Sequence, residues 1–195
     1  VVPVFAVGRA QALLHAIAVL KSQGRIPHAL PIFLDSPMAV HTTALYERHP
    51  HAHRMDTAQL EAMNHVATMV ETPEASKALG RRHGPMVILS ASGMATGGRV
   101  LHHLAMHLPN HRNMVILTGF QAPGTRGATL AGNGDYLRIH GQDVPVRAEV
   151  VSLSSASAHA DRSQLLDWLR QMKQTPGQVY IVHGERGASD ALRQD

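Results

Sequence analysis

The chain has 195 residues, 44% hydrophobic and 16% charged, a balance that excludes intrinsic disorder and leaves ample length for a core. Cys is absent, which excludes disulfides and thiolate metal ligands; a transition metal here must take His nitrogen and carboxylate oxygen. A net charge of +4, and 15 His that gain charge as pH falls, favour a polyanionic partner. No apolar run is long enough to span a bilayer and no signal-peptide pattern opens the chain, so no membrane partner is expected and a cytoplasmic setting is.

Residues 1–7 read as a buried strand, and the chain starts inside it without an initiator Met, as a piece of a larger protein would. From Gly8 a helix is predicted, with Leu13, Leu14, Ile17 and Leu20 on its core face. Residues 31–34 form a strand closed by Asp35-Ser36-Pro37, and residues 38–49 a helix. The run HPHAHRMD (49–56) is a polar, Pro-containing connection with no regular element to fix its geometry. It is read as a solvated loop that chelates incidentally. Thr57 to Val70 is an amphipathic helix with Leu60, Met63, Ala67 and Val70 aligned, and Thr72-Pro73-Glu74 starts another, reaching about Arg82.

The strand MVILSAS (86–92) leads into GMATGG and a helix from Arg99, with Val100, Leu101, Leu104 and Leu108 inward. His103 and His107 stand at i, i+4 on the outward face; no carboxylate accompanies them as in HExxH, so a solvated face is expected. Another strand, MVILTGF (114–120), precedes the loop QAPGTRGATLAGNGD. From Tyr136 the texture changes, and YLRIHGQDVPVRAEVVSLS predicts two strands joined by a turn at Gly141-Gln142-Asp143. The strand ending at Val150, Val151 and Leu153 gives way at SASAHAD to a helix with a capping box of Asp161 and Gln164. QVYIVHGE (178–185) then supplies a further strand, completing a right-handed βαβ unit. The fold class is α/β, a mainly parallel sheet flanked by helices, followed by a C-terminal β-hairpin and βαβα segment. A domain boundary is placed near Asp135, giving 1–135 and 136–195.

In such sheets ligands bind outside the carboxyl ends of the strands. The loop 90–98 lies there. Gly93, Gly97 and Gly98 let backbone amides approach phosphate oxygens, and Ser90 and Ser92 offer hydroxyls; the same loop serves equally as a tight structural turn. Residues 119–127 repeat the arrangement with Gly124, Thr125 and Arg126, against the alternative of a mobile loop with a solvated Arg. His159 and His183, followed by Asp161 and Glu185, end the two strands of the βαβ unit and favour a site together. Ser155, Ser157, His159 and Asp161 are too close in sequence to form a catalytic triad.

SAHAD with a downstream VHGE, preceded by VFAVGRAQALL, LDSPMA, LSASGMATGG and LTGFQAPGTRG, resembles the β-CASP group of the metallo-β-lactamase superfamily, which contains RNA-processing nucleases. The resemblance runs in order through essentially the whole chain. It implies that residues 1–135 are most of a β-CASP cap, lacking its start, and 136–195 the returning end of the metallo-β-lactamase domain. It implies that His159 contacts the scissile phosphate and helps the leaving group depart, and that His183 is a ligand of one of two zinc ions. A groove between cap and core would hold single-stranded RNA. The chain lacks the family's HxHxDH signature, and it carries Ser155 and Ala156 where relatives have Gly-Phe. The expectation is therefore a zinc-dependent ribonuclease as the parent, with this piece inactive and unable to hold zinc alone. Its partners are RNA, the missing N-terminal metallo-β-lactamase half and, through exposed strand edges, a second copy. The alternatives are a non-catalytic RNA-binding or assembly subunit on the same fold and, as a weaker option against which the β-CASP-like cap and basic balance argue, a metallo-hydrolase of the same superfamily acting on a substrate other than RNA.

Overall fold

Caps written into the sequence set the helix starts. In the computed structural model, which describes residues 1–153 and 159–194, Ser36 accepts from Ala39 N ahead of Pro37. Thr72 accepts from Ala75 N ahead of Pro73, and Asp56 with Gln59 closes a capping box. The elements run β1 (Val2–Pro3), α1 (Arg9–Ser22), β2 (Ile32–Asp35), α2 (Pro37–Arg48), a short 3-10 turn at Pro50–Ala52, α3 (Thr57–His65), β3 (Thr68–Met69), α4 (Pro73–Gly80), β4 (Val87–Ser90) and α5 (Arg99–His107). They continue with β5 (Met114–Leu117), α6 (Arg126–Ala131), β6 (Tyr136–Ile139), β7 (Gln142–Pro145), β8 (Glu149–Ser152), α7 (Arg162–Arg170) and α8 (Arg186–Arg193). Contacts divide the chain into two compact units between residues 156 and 157.

The first unit is an α/β sandwich on a mainly parallel sheet. Strands β1-β4-β2-β3 lie in that order, all parallel, and β5 pairs in parallel with β8. Val1 joins the two groups: its nitrogen donates to Met114 O and its carbonyl accepts from Ile116 N, the pattern of parallel neighbours. Alternating side chains split between the two faces. Ile32, Leu34 and Leu89 pack with Leu14, Ala39 and Met63 beneath α1–α3, while Phe33 and Ile88 pack with Val70 and Leu79 beneath α4. Ile116 sits on the first of these cores, while Val115 and Leu117 belong to a third, with Leu104, Leu130, Leu137 and Val144.

Four sequence expectations are corrected. The helix from Thr57 ends at His65, because Thr68 and Met69 pair with Phe33 and Leu34 at the edge of the sheet. The stretch after Tyr136 makes three strands rather than two. The turn falls at His140-Gly141, both with positive φ (48° and 80°), as a two-residue hairpin demands, and β8 leaves the hairpin to pair with β5. Residues 126–131 of the predicted loop form α6, capped by Thr125. QVYIVHGE forms no strand: Val179, Tyr180, Ile181 and Val182 are exposed, and no described residue offers that run a ladder partner. The βαβ unit therefore does not close.

In the second unit Asp161 caps α7 through the expected box with Gln164. None of the described residues from 159 to 194 is buried. Residues 154–158, including the Ser155-Ala156 departure, lie outside the described residues.

Candidate functional site

Because the sheet is parallel, β1, β2, β4 and β5 deliver their carboxyl ends to one edge, where four connections meet. The turn after β1 is pinned from below. Ala10 N donates to Phe5 O, and the buried Gln11 Nε2 lies 3.0–3.3 Å from Ala6 O, Ala39 O and Thr43 Oγ1. Thr118 Oγ1 donates to Pro3 O, which holds the end of β5 beside the end of β1.

At the end of β2 the Asp35 carboxylate, fully buried, accepts from His103 Nε2 (2.5 Å), Ser76 Oγ (2.5 Å) and Arg99 Nη1 (2.8 Å). Burial pushes its pKa up, but hydrogen bonds from His103, Ser76 and Arg99, with the charge of His103, outweigh it and hold the carboxyl below its ordinary value. Arg99 also donates to Val70 O and Glu71 O, so the first residue of α5 is tied to β2 and to the β3–α4 connection. His103 is thus an interior residue and not part of a solvated face; a buried carboxylate on β2 pulls it in. His107 stacks on it, and burial, with the charge of His103, depresses the His107 pKa.

The loop after β4 is closed internally. Ser92 Oγ accepts from Thr96 N at 3.0 Å and shares a hydrogen bond with Thr96 Oγ1. Gly98 has φ +80°, and a Cβ there would come 2.7 Å from Ala91 O, so this position admits glycine alone. Gly93 is crowded by the Phe5 ring, whereas Gly97 and Gly124 face open space. The loop after β5 docks on the first: Gln121 Nε2 donates to Gly93 O, Gly127 N to Met94 O, and Arg126 Nη1 to Thr96 O. Arg126 Nε also donates to Arg138 O. A cleft of about 530 Å³ opens between Thr96, Gly124, Thr125, Arg126, Tyr136 and Arg138.

The structure therefore brings Ser92, Gly93, Gly97, Gly98, Gly124, Thr125 and Arg126 to one edge. Ser90 lies beneath it, fully buried, its hydroxyl donated to Asp35 O, so it supports the loop from within rather than offering a free donor. Thr125 Oγ1 is likewise engaged, donating to Ala122 O and accepting from Ala128 N. Asp35, which sequence analysis read as a strand terminator, and Arg99 emerge as the anchors of the edge; a lone carboxylate ending an apolar strand was their signal.

His159 and His183 lie in the second unit, both exposed, His183 with φ 65° just before Gly184. Among the described residues no three His, Cys, Asp or Glu side chains gather so as to hold a metal ion. These described residues alone do not make up a zinc centre. No helix among the described residues is long and apolar enough to cross a membrane.

Comparison with known proteins gives two domain matches: the β-CASP domain over residues 10–130, and the Zn-dependent metallo-hydrolase RNA specificity domain over residues 143–195. The chain is 43% identical over 191 residues to ribonuclease TTHA0252 of Thermus thermophilus, covering 94% of this chain and 42% of that protein. It is 32% identical over 186 residues to an RNase J-like protein of Methanocaldococcus jannaschii, covering 95% and 43% respectively. A transcription termination factor, FttA, of the same organism is 32% identical over 197 residues, covering 94% of this chain and 30% of the factor. The chain thus spans less than half the length of each of these relatives.

Proposed function

Since this chain belongs to the β-CASP family of the metallo-β-lactamase superfamily, we propose that it is part of a zinc-dependent ribonuclease that hydrolyses RNA phosphodiester bonds. The observation that carries this reading is the docking of the two glycine-rich loops at one sheet edge, Gln121 on Gly93 and Arg126 on Thr96. In this reading residues 1–135 are the β-CASP cap and 136–195 the end of the metallo-β-lactamase domain. The whole protein works in the cytoplasm, its N-terminal metallo-β-lactamase half packs on this chain, and exposed strand edges favour a homo-oligomer.

Backbone amides of Gly93, Gly97, Gly98 and Gly124, with Ser92 and Arg126, hold phosphates of the single strand beside the scissile one, while Thr125, its donors engaged, shapes the loop as the cap of α6. His159 donates its imidazole proton to the leaving oxygen. In the whole protein His183 would be a ligand of one of two zinc ions, which when bound would supply Lewis-acid activation of water and neutralisation of phosphate charge. The 195-residue chain alone holds no zinc and cuts nothing.

The test is zinc content and cleavage of a labelled single-stranded RNA by the whole protein, wild type and with His159→Ala or His183→Ala. The expected result is about two zincs per wild-type protein and a loss of cleavage of about 10²-fold or more in both variants, with zinc lost in the second. Zinc-dependent cleavage by the isolated chain, abolished by His183→Ala, would overturn its assignment as inactive. RNA binding by a whole protein that takes up no zinc would make it the binding or assembly subunit instead.

A further inference from the structure

The carboxyl edge of the first unit carries two phenylalanines out of the core. Phe5, just past β1, is 43% exposed and Phe120, just past β5, 61% exposed. Aromatics make up 4% of the chain, and two of its three Phe stand partly in water at this one sheet edge. Both are tied to Gly93, Phe5 by its ring and Phe120 through its chain neighbour. A Cβ on Gly93 would lie 2.8 Å from the Phe5 ring, and Gly93 O takes the amide of Gln121, the residue after Phe120.

A cation stands with them. Arg9 opens α1 on the turn that fastens Ala10 N to Phe5 O, and its Nη2 lies 3.8 Å from where a Cβ of Gly119 would be, next to Phe120. Its Nε is shut off from solvent and has no hydrogen-bond partner among the described residues. The half-buried Arg9 side chain forms no ion pair among the described residues, so it brings a positive charge to this edge, and since the chain itself covers Nε an incoming acceptor would meet its Nη groups. The backbone under all three residues is held rigidly by Gln11 and by Thr118.

Resting on the ribonuclease reading above, we infer that Phe5 and Phe120 are stacking platforms for nucleobases of a single-stranded RNA and that Arg9 donates to a phosphate of the same strand. Exposed aromatic faces beside a cation and side-chain-free glycines match the chemistry of a strand whose bases are unpaired. An apolar protein surface would bury the two rings but would leave the Arg9 charge without a counter-ion, which is why RNA is the occupant the site favours.

The experiment uses the whole protein and fluorescence anisotropy with two probes, a labelled oligouridylate and an abasic oligomer of equal length, across a salt series. Phe5→Leu and Phe120→Leu should each weaken oligouridylate binding by about 5- to 100-fold, leaving the salt slope and the abasic oligomer unaffected. Phe120→Tyr, which keeps the ring, should restore binding. Arg9→Gln should weaken both probes and lower the salt slope by about one. If the wild type binds and cuts RNA while all three variants bind oligouridylate as it does, the stacking site is wrong and the nuclease reading stands. Equal losses on both probes with a lowered unfolding midpoint in the two Leu variants would assign the rings to protein packing and overturn the proposal. A wild type that neither binds nor cuts RNA would remove both.

Discussion

His103 Nε2 and Asp35 Oδ2 meet 2.5 Å apart in the interior of the first unit, 68 residues apart in sequence and both shielded from water. With Arg99 and Ser76 they make a buried cluster whose carboxylate is fully engaged, and the glycine-rich loop after β4 is built on top of it.

Removing one member of such a cluster leaves charge stranded in the interior. Asp35→Ala should therefore destabilise the first unit by about 3–5 kcal/mol in urea unfolding, because Arg99 loses its counter-charge and His103 its hydrogen-bond partner. Ser76→Ala, which removes one neutral donor to a charged acceptor, should cost roughly 1.5–3 kcal/mol. An Asp35→Ala loss below about 1 kcal/mol would show the cluster to be energetically idle.

The same carboxylate sets an acid limit. Its pKa is depressed in the folded chain, so its contribution is fully present above the unfolded value of about 3.9 and is lost as pH falls through the folded value. Stability followed from pH 6 downward should hold its Asp35 share until strongly acid pH, and Asp35→Asn should flatten that limb. An unchanged limb in the variant would place the acid sensitivity elsewhere.

Two neighbouring glycines should behave oppositely. Gly98→Ala forces a Cβ into the Ala91 carbonyl at positive φ and should cost about 1–3 kcal/mol. Gly97→Ala meets no atom within 4 Å and should change the unfolding free energy by less than about 0.5 kcal/mol. Similar thermal shifts in both would mean the loop relaxes around either side chain.

Hydrogen exchange should separate the two units. No described residue from 159 to 194 is buried, so amides of α7 and α8 in this chain should exchange close to the unprotected rate, whatever the quality of the Asp161 cap. Amides of α5, which carries Val100 and Leu104 into the core, should be protected up to the global stability. Comparable protection in both sets would show the second unit to be self-supporting.

Helix starts were legible where a cap and a proline or capping box coincide, as at Ser36-Pro37, Asp56-Gln59 and Thr72-Pro73, since those signals are local. Pairing was not, because β3 and β8 owe their existence to β2 and β5, far off in sequence. His103 and His107 could have been placed by arithmetic. At about 100° per residue, His107 falls within about 20° of Val100 and His103 within about 60°, on the core side of α5. Treating a polar residue as an outward one hid this, since the partner that makes burial tolerable, Asp35, cannot be seen from the helix. The glycine loops were recognisable by composition, but which hydroxyls are already occupied, as in Ser90 and Thr125, required the geometry.

Val1 and Pro3 form the seam between β4 and β5, through bonds to Met114, Ile116 and Thr118, more than 110 positions downstream. β1 is therefore made long before its second neighbour and is among the last strands to be enclosed. Until β5 has emerged from the ribosome, Val2 and Val4 have a neighbour on one side at most, and the chain must carry them unsheltered through the making of α1 to α5. A chaperone that grips the nascent β1 segment would act in that interval, and the synthesis of Met114–Leu117 is the event that ends it.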